Sequence, residues 1–406
     1  MTPHRWLLYG GLVSSCLACQ EQREKAPSAV ESALPPQPAT AGTSVAATPI
    51  VEAYFSWHQA GQYILDVDFS PRTSELALVL QYQRQPVSHD GPPPPPLPAN
   101  DRSEDPAISL LRTDTRQLTR VDYGWTPAFS PDGLLLAYSH QQQPMPNLRA
   151  LASTFAGNPI RIYDRSTRHV TTVARPARTF LFEPRFTGPQ ELVYQIGDTV
   201  NGSYAGGVGL LQLNLRTQRT DTLYAVQRSH GHYHLLGGVW PGAGELYYSV
   251  AVPQDHSLWM ANAYEHQLYT RRGLAQSFGL SSEAYVEDLI GLRPGGKAVL
   301  IGQGQDTADT RYYLSYWRKG RGQRERALPS AFSKAVLSPD GQYLFYQTQE
   351  GQAFVLNTDT FQQTPLSTGD VEVQTVQWAA DSRRLALIQT SEKLAATDVV
   401  HLYRLR

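Results

Sequence analysis

The chain has 406 residues, of which 41% are hydrophobic and 17% charged, and its formal net charge is -1. Such a composition supplies ample material for a core, and the lack of any long basic run removes the electrostatic footprint of a nucleic-acid binder. Thiols occur only at Cys16 and Cys19, so the rest of the chain has no disulfide, thiolate metal site or cysteine nucleophile.

Arg5 precedes an apolar stretch over residues 6–13, too short to cross a bilayer as a helix but the length of a secretory h-region. Val13-Ser14-Ser15-Cys16 resembles the lipobox of bacterial lipoproteins, whose cysteine is lipidated and becomes the new N-terminus. Cys19, with Leu17 and Ala18 before it and the polar run 20–25 after it, is the alternative acceptor. An ordinary signal peptide is the plainer reading, but two cysteines confined to the end of the h-region speak against it. Residues 20–48 are rich in Ala, Pro, Ser and Thr without apolar periodicity, which predicts a flexible tether reaching roughly 30 Å as a coil. The expected organisation is a lipoprotein signal over 1–19, a tether over 20–48 and one folded domain over 49–406. The expected location is the bacterial cell envelope, lipid-anchored, facing the periplasm or the cell surface.

From residue 50 onward one pattern recurs: an alternating apolar run, a tight turn, and a second alternating run. The full copies are Phe129-Ser130-Pro131-Asp132-Gly133 and Leu337-Ser338-Pro339-Asp340-Gly341. Proline presets the first turn φ, aspartate bonds back to the local backbone and glycine accepts a positive φ, so these are hairpin turns. Five weaker copies follow the same grammar at Phe69-Ser70-Pro71, Phe186-Thr187-Gly188, Trp240-Pro241-Gly242, Arg293-Pro294-Gly295 and Trp378-Ala379-Ala380-Asp381. Second strand pairs follow the hairpins, starting at Ile108, Ile160, Leu210, Leu258, Tyr312 and Ala353. Four strands per unit, repeated seven times, predict an all-β fold: a seven-bladed β-propeller. After its hairpin the last unit offers a single further strand over residues 399–405. The alternating segment 50–57 is expected to supply the missing outer strand and close the ring.

These Ser-Pro-Asp-Gly hairpins, with an aromatic just before or a few residues after, resemble the repeats of TolB-like and prolyl-peptidase-type propellers over nearly all of residues 50–406. In a four-stranded blade the first-to-second and third-to-fourth turns share one face. Here those turns are short, and the excess length falls in second-to-third loops over 83–106, 141–159, 197–209 and 303–311, with blade connections over 225–234 and 273–286. Elaborated loops on a rigid scaffold carry recognition, which marks that face as a binding face, drift in surface loops being the alternative. His230, His232, Tyr233 and His234 lie there, and residues two apart in an extended chain share a side, so the three imidazoles are candidates for a ligand or metal site, a solvated loop being the plainer reading. The resemblance implies the same possibility, since some TolB-like propellers that cleave acidic sugars by β-elimination hold a metal with histidines near the disc centre. Theirs come from more than one blade, and no second-blade partner stands out in this sequence.

No Gly-x-Ser-x-Gly elbow, phosphate-cradling loop or His-Glu-x-x-His motif is present, and no catalytic residues are selected. Trp125, Trp240 and Trp378 recur at equivalent hairpin positions and read as inter-blade packing. The resulting expectation is a monomeric, non-catalytic lipoprotein without cofactor, whose loop face binds an envelope protein or other macromolecule. The alternative is a carbohydrate-active lyase with a divalent metal held by His230, His232 and His234.

Overall fold

A computed structural model describes residues 51–82, 102, 105–142, 158–176, 179–200, 203–225, 228–229, 232–233, 235–241, 246–253, 264–278, 284–293, 297–306, 309–318, 321–327, 332–366, 373–391 and 397–406. The described residues form strands joined by turns. β1 is Val51–His58. A continuous ladder follows: β2 (Gln62–Phe69), β3 (Glu75–Tyr82), β4 (Ala107–Arg112), β5 (Leu118–Phe129), β6 (Leu135–His140), β7 (Ile160–Asp164) and β8 (Val170–Thr172). This ladder is two overlapping four-stranded runs sharing β5, whose first half pairs with β4 and second half with β6.

Four-stranded antiparallel sheets then follow. One holds β9 (Thr179–Gly188), β10 (Glu191–Val200), β11 (Ser203–Asn214) and β12 (Arg219–Ala225). A small hairpin, β13 (Arg228–Ser229) with β14 (His232–Tyr233), precedes the next, made of β15 (Leu235–Pro241), β16 (Leu246–Pro253), β17 (Tyr264–Thr270) and β18 (Gly273–Phe278). Another holds β19 (Ala284–Arg293), β20 (Lys297–Asp306), β21 (Asp309–Arg318) and β22 (Arg321–Ala327). After it come β23 (Phe332–Leu337), β24 (Tyr343–Thr348), β25 (Ala353–Asn357) and β26 (Gln363–Leu366). The last three strands are β27 (Val373–Trp378), β28 (Arg384–Ser391) and β29 (Thr397–Leu405), and β1 completes their sheet by pairing with β29. The first strands neighbour one another in cyclic order, β2 beside β5, then β9, β15, β19, β23 and β27, which returns to β2.

The hairpin chemistry is as the motif requires. Ser130 Oγ donates to Asp132 Oδ1 at 2.6 Å, the Gly133 N–H donates to the Ser130 carbonyl at 2.8 Å, and Gly133 has φ +68°. Ser338, Asp340 and Gly341 repeat this arrangement, with Gly341 also at φ +68°. In the degenerate copy Ser382 takes the glycine place at φ +55°, and Asp381 Oδ1 accepts the Arg383 N–H at 2.8 Å. Third-to-fourth turns sit on the same side, since the Thr113, Arg165 and Thr358 N–H groups donate to the carbonyls of Ser74, Leu134 and Gln342 in the hairpin turns.

Strand alternation places the core between sheets. Leu76, Leu78 and Leu80 of β3 pack with Ala386, Ile388, Val400 and Leu402 of the closing sheet, whereas Ala77 and Val79 pack with Trp125, Leu136 and Tyr138 on the other side. Trp125 and Trp378 are inter-sheet packing residues, 7% and 4% exposed. Full burial of each such aliphatic or aromatic side chain contributes about 1.5–3 kcal/mol.

Three sequence expectations need correction. Residues 197–209 are not a loop: β10 runs to Val200 and β11 starts at Ser203, which pairs with it. Gly197, which suggests a loop, serves packing instead, because a Cβ there would run into the Phe180 ring. Residues 303–311 likewise continue as a hairpin in which Asp306 pairs with Asp309. The third strand of the fourth unit begins at Tyr264 rather than Leu258, so Gly273–Phe278 is its fourth strand and not a connection.

Candidate functional site

The two longest second-to-third connections leave and return at the same end of β2–β8, opposite the hairpin turns. Their ends are tied down by polar side chains. Arg102 pairs with Asp105 at 2.5 Å and also donates to the Gln141 carbonyl, while its guanidinium lies 4.1 Å from the Tyr123 ring centroid. Gln141 Oε1 accepts from Trp125 Nε1 at 3.1 Å and from Asn158 Nδ2 at 3.3 Å. Gln141, Asn158 and Asp105 are all buried, so each polar group needs these partners.

Beneath this end Asp122 gathers three donors. Its Oδ2 accepts from Tyr138 Oη at 2.7 Å and Arg161 Nη1 at 2.8 Å, with His140 Nδ1 at 3.3 Å. Burial pushes the carboxyl up, but the bonds from His140, Tyr138 and Arg161 together outweigh it and hold it well below the usual carboxylate range. Asp122 thus sits as a carboxylate that ties β5, β6 and β7 together.

Beside Tyr123 opens a cleft of about 410 Å³, lined by Gln62, Leu80, Tyr82, Arg102, Asp105, Ala107, Ser109, Leu118, Arg120 and Tyr123. Leu80 and Leu118 belong to the cluster shared with Phe55, Trp57 and Val400, so the cleft opens at the margin between the first sheet and the closing one.

A second polar group lines the first strands. Asp68 Oδ2 accepts the Phe129 N–H at 2.7 Å, and Gln377 Nε2 approaches Oδ1 at 3.4 Å, so one carboxyl links β2 to strands on both sides. Burial raises its pKa to about 6, the Phe129 N–H and Arg185 act against that rise, and Asp66 adds to it. Glu183 is also raised by burial, opposed by Arg185, and is held at φ +50° in a bulge of β9. Asp68 binds its proton more tightly in the fold than in the unfolded chain. The stability it contributes is therefore present below the unfolded carboxylate value near pH 4 and lost as pH rises through about 6. Asp68→Asn, which keeps an acceptor for Phe129, is expected to flatten the decline in unfolding free energy between pH 4 and pH 7 by about 1–2 kcal/mol. Urea melts of both proteins across that range check it, and parallel pH profiles would refute it.

Of the residues singled out from sequence, Cys16, Cys19, His230 and His234 lie outside the described residues. His232 and Tyr233 form β14, paired with Ser229 and Arg228. Among the described residues no group of three or more His, Cys, Asp or Glu side chains is placed to hold a metal. Sequence reasoning missed Asp122, Arg102 and Arg120, whose only signal was their place beside the longest loops.

No family model matches the sequence, and no curated protein matches it either. Solved structures do. An oligogalacturonate lyase in complex with manganese superposes with a TM-score of 0.57 at 13% identity, covering 88% of this chain and 97% of the other. The oligogalacturonate lyase of Vibrio parahaemolyticus gives 0.54 at 12% identity over 87% and 96%. The β-propeller domain of the Trilobed protease from Pyrococcus furiosus gives 0.55 at 9% identity over 86% and 94%. The fold is a β-propeller. At such identities the likeness extends to the fold and no further. The Trilobed protease propeller is described as having an open velcro topology, whereas this propeller is fastened by the pairing of β1 with β29.

Proposed function

We propose that the chain is a TolB-like propeller of seven blades, tethered to a membrane of the bacterial envelope through a lipid on Cys16 or Cys19, and that its long-loop face binds a protein partner without catalysis. The cyclic order of first-strand contacts supports the blade count once the shared strand β5 is assigned to both its sheets. One observation carries the binding role: the cleft of about 410 Å³ opens on the long-loop end, beside the return of the 83–106 connection, which the pair of Arg102 with buried Asp105 holds in place. A rigid scaffold with tied loop bases presents a surface at small entropic cost on association.

A photo-crosslinking residue in place of Tyr82, on that end, is compared with one in place of Thr115, in the third-to-fourth turn on the other face. A single protein adduct from the first position and none from the second supports the reading, and the reverse pattern overturns it. A carbohydrate-active role with a histidine-held metal is the competing reading, favoured only by likeness to structures of oligogalacturonate lyase. Stoichiometric divalent metal in the purified protein, lost in the variant His232→Ala, would establish it instead.

A further inference from the structure

The cleft beside β2–β5 holds one buried polar atom whose bonding capacity is unused among the described residues. Gln62 and Tyr82 face each other as direct partners on β2 and β3. Gln62 Oε1 is buried and has no hydrogen-bond partner among the described residues. A buried acceptor left alone in this way is costly, and such an atom usually marks a missing donor. Tyr82 is 54% exposed, a large flat ring at the cleft wall.

Arg102 and Arg120 both lie over Tyr123, at 4.1 Å and 5.2 Å from the ring centroid. They are not equivalent. Arg102 is neutralised by the buried carboxylate of Asp105, whereas Arg120 is exposed, forms no ion pair among the described residues, and spends one N–H on Tyr123 Oη at 3.2 Å. The ring holds the Arg120 guanidinium in place, which lowers the rotamer entropy lost when it grips an anion in bidentate fashion. One uncompensated cation suits one carboxylate. A polyphosphate or nucleic acid would need several such cations along its path, and the described residues of the cleft do not provide them.

We infer that this cleft is a docking site for an acidic segment of a protein partner, in which a Glu or Asp carboxylate pairs with Arg120, the Gln62 amide turns toward the cleft so that its Oε1 accepts a backbone N–H of the segment, and Tyr82 supports a neighbouring side chain. The inference rests on the binding role proposed above and names the partner's chemistry. Its amide donors distinguish a peptide from a simple carboxylate ion, and the open cleft crossing the sheet from β2 to β5 suits an extended segment.

The test is an array of immobilised pentapeptides, each carrying one Glu or Asp, set beside matched Gln or Asn versions and probed with the full chain. Acidic members are expected to retain the protein about tenfold better than their amide counterparts, with the preference weakening as salt rises. Arg120→Gln is expected to abolish the preference. Gln62→Met is expected to weaken binding while leaving thermal stability equal or higher, a combination that a merely structural glutamine would not produce. Equal retention of acidic and amide peptides, unchanged binding by Arg120→Gln, or retention of hexuronate oligomers in place of peptides would overturn the inference. Loop-face crosslinking to a protein that survives Arg120→Gln would sink this site while leaving the binding role standing.

Discussion

A chain that begins at Gln59, lacking β1, is expected to melt roughly 10 °C below one that begins at residue 47, and to form oligomers. β1 supplies the outer strand of the closing sheet, its pairing running from Val51 with Leu405 to His58 with Val399. A bulge between Ala53 and Phe55 shifts the alternation, so Val51 packs toward the β23–β26 side while Phe55 and Trp57 pack into the cluster shared with β2 and β3. Partial burial of these three side chains is worth roughly 3–5 kcal/mol, a large share of ordinary protein stability. Loss of the strand also frees the edge of β29 along buried Val400 and Leu402. Calorimetry and size-exclusion chromatography of the two chains measure both effects. Equal melting temperatures and a monomeric short chain would show that β1 is not a fastening strand. A double variant, Phe55→Ser with Trp57→Ser, separates packing from backbone pairing and is expected to give most of the same loss.

Asp122→Ala is expected to cost about 3 kcal/mol, the range for removing one partner from a buried charged network. Tyr138, fully buried, would keep an unpaired hydroxyl, and Arg161, whose Nε has no partner among the described residues, would lose its carboxylate. Asp122→Asn retains an acceptor and is expected to lose less. The sign with pH is opposite to that of Asp68. A carboxyl held low in the fold contributes stability that is fully present above the unfolded value near 4 and is lost as pH falls toward the folded one. Wild-type protein should therefore lose more stability than Asp122→Asn when acidified from pH 5 to pH 2.5, as followed by guanidinium melts. Equal acid sensitivity of the two would remove Asp122 as the stabilising centre.

The hairpin units were legible because their chemistry is local. Ser130, Asp132 and Gly133 make their bonds within a few residues, so the motif carries its own geometry, and Ser382 shows that the turn survives when glycine is absent. The closing strand was legible by a count, since the last unit had too few strands and residues 50–57 had no other use. The second-to-third segments were read less well. Glycine at 197 reads as a breaker, and only the Phe180 ring packed against it reveals a strand made thin for an aromatic neighbour. The histidine run carried a composition signal, yet the pairing of Ser229 with His232 is a fact of folding that residue types do not announce.

The cleft was the least legible feature. Gln62, Tyr82, Arg102, Arg120 and Tyr123 come from four separate segments, none with a motif. What the amino-acid order alone determined was strand period, turn positions and the supply of one strand to the opposite end of the chain, because each depends on neighbours in sequence. Tertiary structure alone decided which carboxylates are matched by cations and which are not. Asp105 silences Arg102 and nothing among the described residues silences Arg120, because electrostatic pairing depends on distance in space.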